Sequence, residues 1–281
     1  MSPTMINRNK FLSLVLISLF LLSTSLAGCV THYSNRKASY INNFTHSVLC
    51  ELGSATSCPY CSITSAILYK IYKSSKYRFY YVTLIADKNN KARNRLLGDY
   101  NLYGFPTCFF DGGYEIISGG YSNIKYYEDK IVSSGERNVT NITIVLYARW
   151  TNKEMENLSC EITIFNNQYQ EYNGFLKVYL VEIISRWRDY YGNPYHFGFI
   201  DFIANTNLSI PPKEKINLFY EWNPAESKYN DVDPSNLMAV GVLFNSQAHQ
   251  SYSDPPYNTK QFTAYYVDDA VGVKISDTSK S

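Results

Sequence analysis

The hydrophobic pattern opens with an apolar run over 11–22, interrupted only by Ser13 and Ser18, preceded by Arg8 and Lys10 and followed by mostly small residues over 23–28. That is the order of an export signal. The run is short for a span of the hydrocarbon core, which takes about twenty residues, so a cleaved signal peptide over 1–28 is expected rather than a retained helix. The polar segment 29–43 has no apolar periodicity and reads as a tether. Order is expected to begin at Phe44.

From there the apolar positions change period repeatedly. Residues 47–52 read as a buried strand closed by Gly53 and Ser54, and 57–74 carries helical spacing at Ile63, Ile67, Leu68 and Ile71. An aromatic and β-branched strand follows over 77–85. A charged helix over 89–102 turns Leu96, Leu97 and Tyr100 inward and stops before Gly104 and Pro106. Strands 107–110 and 114–117 are joined through Asp111-Gly112 as a hairpin, and 122–135 closes the region as a helix with Ile124, Tyr127 and Ile131 on one face. This order predicts an α/β domain over 44–137, its first two strands parallel across a right-handed crossover.

Beyond Asn138 the pattern turns strand-like throughout: 142–150, 158–165, 175–185, 197–204, 215–222 and 237–244, separated by turn-rich pieces at 166–167, 173–174 and 210–212. At least six strands without a convincing helix predict an all-β, immunoglobulin-like sandwich over 138–250. The segment 251–281 is polar and proline-containing. It offers one more edge strand, 262–267, and a loose tail.

Composition adds little to this layout but excludes one class. The net charge is +2 and the lysines and arginines are scattered, so no nucleic-acid surface is expected. The 27 tyrosines suit strands and wet surfaces. Asn43, Asn138, Asn141, Asn157 and Asn207 open Asn-x-Ser/Thr triplets, which matter only in an organism that glycosylates its exports.

The chemistry concentrates at Cys58-Pro59-Tyr60-Cys61, between a strand and a helix. Backbone N–H groups and the positive dipole end at a helix start stabilise a thiolate, which makes Cys58 the expected attacking or attacked sulfur. Cys61, one turn on, can resolve a mixed disulfide. Pro59 suits an early helical position because it lacks the N–H that would be unpaired there, and Tyr60 flanks the pair. A zinc site would need Cys50 and Cys108 as companions, and these lie in predicted strands; a purely structural disulfide remains the other reading. No group of histidines has metal-ligand spacing, no metal is expected, and no organic cofactor is required.

With Gly104-Phe105-Pro106-Thr107 ahead of a strand, residues 44–137 resemble a thioredoxin-like domain, and the Cys-Pro-Tyr-Cys content is that of glutaredoxins. The whole chain resembles prokaryotic exported thioredoxin-like lipoproteins that append a β-sandwich. The resemblance implies a cis peptide before Pro106, facing the cysteines, with Phe105, Thr107 and Tyr60 contacting an extended client. It implies a buried acid near Glu51 for proton transfer at Cys61, although the residues themselves favour a solvent-facing or strand-edge glutamate. Leu26-Ala27-Gly28-Cys29 resembles the lipoprotein signal, which implies lipid on Cys29. Ser57 departs from the family, which commonly has tryptophan there. Cys50 and Cys108 would lie on adjacent strands, either as a second disulfide or as buried thiols, and Cys160 reads as a core residue.

The expectation is therefore an α/β thioredoxin-like domain followed by an all-β immunoglobulin-like sandwich, anchored at the outer face of a membrane. It would exchange disulfides with exported protein clients through Cys58 and Cys61. The alternative is a non-catalytic surface binding protein in which the pair is a structural staple. Direction of transfer, clients and oligomeric state are not encoded in any readable motif.

Overall fold

A computed structural model describes residues 43–152 and 154–275. The signal over 1–28, Cys29, the tether up to residue 42 and the tail over 276–281 lie outside the described residues.

The first elements are β1 (Val48–Ser54), α1 (Cys61–Ser74), β2 (Phe79–Ile85), α2 (Asn90–Asn94), β3 (Thr107–Phe110), β4 (Glu115–Ser118) and α3 (Ile124–Gly135). Seven strands follow: β5 (Ile142–Trp150), β6 (Leu158–Asn166), β7 (Tyr172–Arg188), β8 (Pro194–Ile210), β9 (Lys215–Trp222), β10 (Leu237–Tyr252) and β11 (Gln261–Lys274). Side-chain caps fix two helix starts. The Asn89 carbonyl oxygen accepts from the Lys91 and Ala92 amides, and that of Asn123 accepts from Lys125. The charged helix expected over 89–102 is only α2, after which the backbone widens into a π-helical turn, Arg95–Asp99.

The expected fold class does not hold. The described chain is mostly β, and eight of its strands form a single mixed sheet in the order β11-β10-β7-β8-β2-β1-β3-β4. It is therefore not an α/β thioredoxin-like domain followed by an immunoglobulin-like one, because strands from both predicted regions share that sheet. Locally, β1 and β2 are parallel, and β3 is antiparallel to β1 and to β4. The outer edge of β2 is not left open: Thr83 pairs with Gly198 of β8, and the Thr83 hydroxyl donates to the His196 carbonyl at 2.8 Å. A long open strand edge is a template for aggregation, and β8 covers this one.

β7 and β10 are buried on both faces, so alternate residues enter different cores. Along β7, Tyr179 and Val181 join the core under the helices, whereas Leu176, Val178 and Leu180 face the small sheet β5-β6-β9. Along β10, Met238, Val240, Val242 and Phe244 take the first side, and Leu237, Ala239 and Leu243 the second.

The two flanks of the large sheet also approach one another. The β3–β4 turn touches β11, where the Val267 amide donates to the Asp111 carbonyl at 3.3 Å, and the Phe109 and Phe262 rings meet edge to face. Behind this seam, the buried His46 ring lies 2.7 Å from the Asp111 carboxylate, which also accepts from the Leu49 amide at 3.0 Å.

Candidate functional site

Cys58 and Cys61 form a disulfide with a Cα–Cα distance of 5.4 Å. Helix α1 begins at Cys61, so Cys58 stands just before the helix rather than on its first residue. The reason is local. No side chain caps the helix at Tyr60; the Cys61 amide donates to the Cys58 carbonyl at 3.3 Å, which closes 58–61 as a turn, and the Ser62 hydroxyl donates to the Pro59 carbonyl at 2.8 Å. The two sulfur-bearing residues differ in access: Cys58 is half-buried and Cys61 is fully buried.

Pro106 immediately precedes β3, whose Thr107 pairs with Gly53 near the end of β1. The loop of the disulfide leaves from that same end. The Phe105–Pro106 peptide is cis. Thr107 is buried with its hydroxyl on the Gly104 carbonyl at 2.8 Å, so it braces the loop rather than facing outward. Gly120 packs against the turn closely enough that a Cβ there would fall 2.8 Å from the Tyr60 carbonyl oxygen. Around this end, Tyr60, Tyr103, Phe105, Tyr121 and Tyr126 are exposed, and the Tyr121 and Tyr126 rings touch at 5.0 Å.

Glu51 has a different setting from the one expected beside Cys61. Successive residues of a strand point to opposite faces. Cys50 lies on the face of Tyr81 and Tyr127, and Tyr127 is hydrogen-bonded to Thr64 of α1. Glu51 lies on the other face, toward the π-helical turn. Its carboxylate accepts from Arg95 Nε at 2.9 Å, Arg95 Nη2 at 2.8 Å, Tyr179 Oη at 2.9 Å and the Tyr100 hydroxyl. Burial pushes this carboxyl upward, but the Arg95 charge and the three donors outweigh it and hold it below its ordinary value. The arrangement fits a structural anion that positions Arg95 better than a proton carrier for Cys61.

Cys50 and Cys108 are free, buried thiols. Cys50 is opposite Phe110 and Cys108 opposite Leu52, so the two cysteines are diagonal neighbours. Burial raises the Cys50 thiol well above its usual value, and its contact with Cys108 adds to that. Cys160 is likewise free and buried, pushed up to about 12 by burial in the second core. No group of histidine, cysteine and carboxylate side chains arranged to hold a metal occurs among the described residues. Neither is any helix among them long and apolar enough to cross a membrane. Arg186–Arg188 and the following tyrosines form the β7–β8 hairpin, with Trp187 packed on Tyr229 at 5.7 Å.

No family model and no curated protein matches the chain. Among solved structures, HBP35 of Porphyromonas gingivalis is similar over 85% of this chain and 79% of its own, at 13% identity and a TM-score of 0.57. That likeness is one of fold. A structural-genomics protein from Agrobacterium tumefaciens covers 81% of the chain and 94% of its own at 11% identity and a TM-score of 0.47. A domain of the outer membrane lipoprotein Omp28 from Porphyromonas gingivalis covers 50% and 93% at 16% identity and a TM-score of 0.31.

Proposed function

We propose that the chain is an extracytoplasmic thiol-disulfide exchange protein, held at a membrane by lipid on Cys29 and acting on protein thiols and disulfides through Cys58 and Cys61. The observation that carries this reading is the unequal exposure of the two disulfide-bonded cysteines beside a helix start. A client thiolate attacks the reachable Cys58 sulfur, a Cys58–client disulfide forms, and the S–S bond to Cys61 breaks. The electron pair leaves on Cys61, where the unpaired amides of the first turn of α1 favour the anion. A second client thiolate then attacks the client sulfur, which yields an oxidised client and a reduced pair. With a reduced pair and an oxidised client the same steps run backwards.

Trapping tests it. Cys61→Ser should accumulate reducible client adducts on Cys58, and Cys58→Ser should accumulate none. Alkylation of the reduced wild type should be at least about tenfold faster at Cys58 than at Cys61, given their access. Absence of adducts, together with no exchange between the wild type and a glutathionylated peptide, would remove the reading. Cys29→Ser should separately move the protein from the membrane to the soluble fraction, since the anchor supplies the affinity.

A second reading is favoured by the five exposed aromatic side chains at this end of the sheet. In it, the protein is a non-catalytic binding protein, the disulfide is a staple that holds the Tyr60 turn, and the aromatic surface meets a partner. A pair that resists millimolar dithiothreitol while the fold persists would select it.

A further inference from the structure

Period-two alternation along β7 should place apolar side chains at every residue facing the helix-side core. Phe175, Tyr179 and Val181 comply, but Lys177 falls between them on the same face. A lysine on the inner face of a central strand breaks the local pattern, and such breaks concentrate where a protein does something other than fold.

Lys177 borders a cavity of about 590 Å³, within the range of small-molecule sites. Its walls include Phe175, Phe244, Phe262 and Tyr265, with Arg95 and Tyr100 contributed by the π-helical turn and its end. The charges there are unevenly paired. Arg95 is fully engaged, with Nε and Nη2 on Glu51, Nη2 also on the Tyr100 hydroxyl and Nη1 on Asp99 at 2.8 Å; its guanidinium lies over the Tyr100 and Phe244 rings at 4.3 and 5.3 Å. Glu51 is saturated by Arg95, Tyr100 and Tyr179. Lys177 has no ion pair among the described residues: its Nζ donates to the Asn205 side-chain carbonyl at 2.8 Å and lies 5.5 Å from the centre of the Phe202 ring. Burial, followed by the nearby Arg95 charge, pushes its ammonium below the ordinary lysine value. A half-buried cation that makes no direct ion pair among the described residues, with Glu51 and Asp99 acting on it only from a distance, has beside an aromatic cavity the complementarity of an amphiphilic anion.

We propose that this cavity binds a small organic acid, whose carboxylate pairs with the Lys177 ammonium while its apolar body lies against Phe175, Phe262 and Tyr265. The site is separate from the disulfide and does not depend on its chemistry. The ring faces that line it suit an aromatic or alicyclic acid, because offset and edge-to-face contacts add to area burial. Asp99 at the rim shares Arg95 with Glu51, and its side chain is 53% exposed, so solvent and salt screen the charge it presents to the acid.

The test is calorimetry on the mature protein with three probes of one shape: 2-naphthoate, 2-naphthalenemethanol and 2-naphthylmethylamine. The acid should bind, the alcohol about tenfold more weakly or worse as a charge-assisted contact is lost, and the amine weakest of all. Lys177→Met should cost the acid about the same factor and leave the alcohol unchanged, whereas Lys213→Met, at an exposed lysine over Tyr169, should change neither. Replacing both Cys58 and Cys61 by serine should leave acid binding intact. If Lys177→Met fails to fold by circular dichroism, the wild type still decides: saturating 2-naphthoate should shield Lys177 from acylation by acetic anhydride, read by peptide mass spectrometry. No binding, equal affinity for acid and alcohol, or unshielded Lys177 at saturation would each overturn the proposal.

Discussion

Replacing Arg95 by methionine should destabilise the fold by about 3–5 kcal/mol, the range for breaking a buried ion pair from one side. The Glu51 side chain is 0% exposed and that of Arg95 10%, so the carboxylate left behind would keep only the Tyr100 and Tyr179 hydroxyls. Urea denaturation measures the loss directly. The pH dependence gives a sharper check, because its sign should reverse. In the wild type the folded Glu51 carboxyl titrates below its ordinary value. Its contribution is therefore complete above about pH 4.3 and is lost as the pH falls through the lowered folded value. In the variant, burial without the cation raises the folded value instead, so stability should fall as the pH rises beyond about 4.3. Adding Glu51→Gln should return much of the lost stability, since the double variant buries no uncompensated charge. An Arg95→Met protein with unchanged midpoint and unchanged pH slope would mean that Glu51 is protonated in the wild type as well.

That network also shows where sequence reasoning stops. Strands β5 and β9 run over the residues expected of them, because their alternation is strict and each has one wet face. β8 was legible only over 197–204. Its extension through Asn205, Thr206 and Asn207 is polar and looks like loop, yet it pairs residue by residue with Lys177, Leu176 and Phe175. β10 ran past its apolar stretch for a related reason, since beyond the register shift between Phe244 and Ala248 its mostly polar residues pair with β11. The Thr83–Gly198 pairing joins the two expected regions into one large sheet, and nothing in a one-dimensional pattern marks which distant strand covers an edge. The cysteine turn was legible because its chemistry is contained in four consecutive residues. The meeting of Arg95, Tyr100 and Tyr179 at Glu51 was not: helical spacing turns Tyr100 inward but does not name its partner, and a glutamate one register step away would face the other side of the sheet.

The same limit governs the Asp111-Gly112 turn. As sequence, it reads as an ordinary hairpin between β3 and β4, in which glycine supplies a positive φ. In the fold, the turn presses on β11. Gly112 has φ +71°, and a Cβ there would fall 2.0 Å from the backbone carbonyl oxygen of Tyr265. Gly192, in the β7–β8 turn, has φ +87° with nothing within 4 Å of its would-be Cβ. The two glycines thus separate conformation from contact. Gly192→Ala should cost about 1–2 kcal/mol, the penalty of an L-residue in the left-handed region. Gly112→Ala should cost more than about 4 kcal/mol, because the obstructing atom is backbone and the seam between the two flanks of the sheet must open to admit the methyl group. Parallel urea titrations measure both. Hydrogen exchange at the Val267 amide, which donates across that seam to Asp111 at 3.3 Å, should quicken in Gly112→Ala and stay unchanged in Gly192→Ala. Because Gly112 and Tyr265 also border the Lys177 cavity, 2-naphthoate binding should weaken in the first variant alone. Equal losses of stability in the two variants would show that the turn needs only its backbone angle, and that the closure of the sheet against β11 does not press on it.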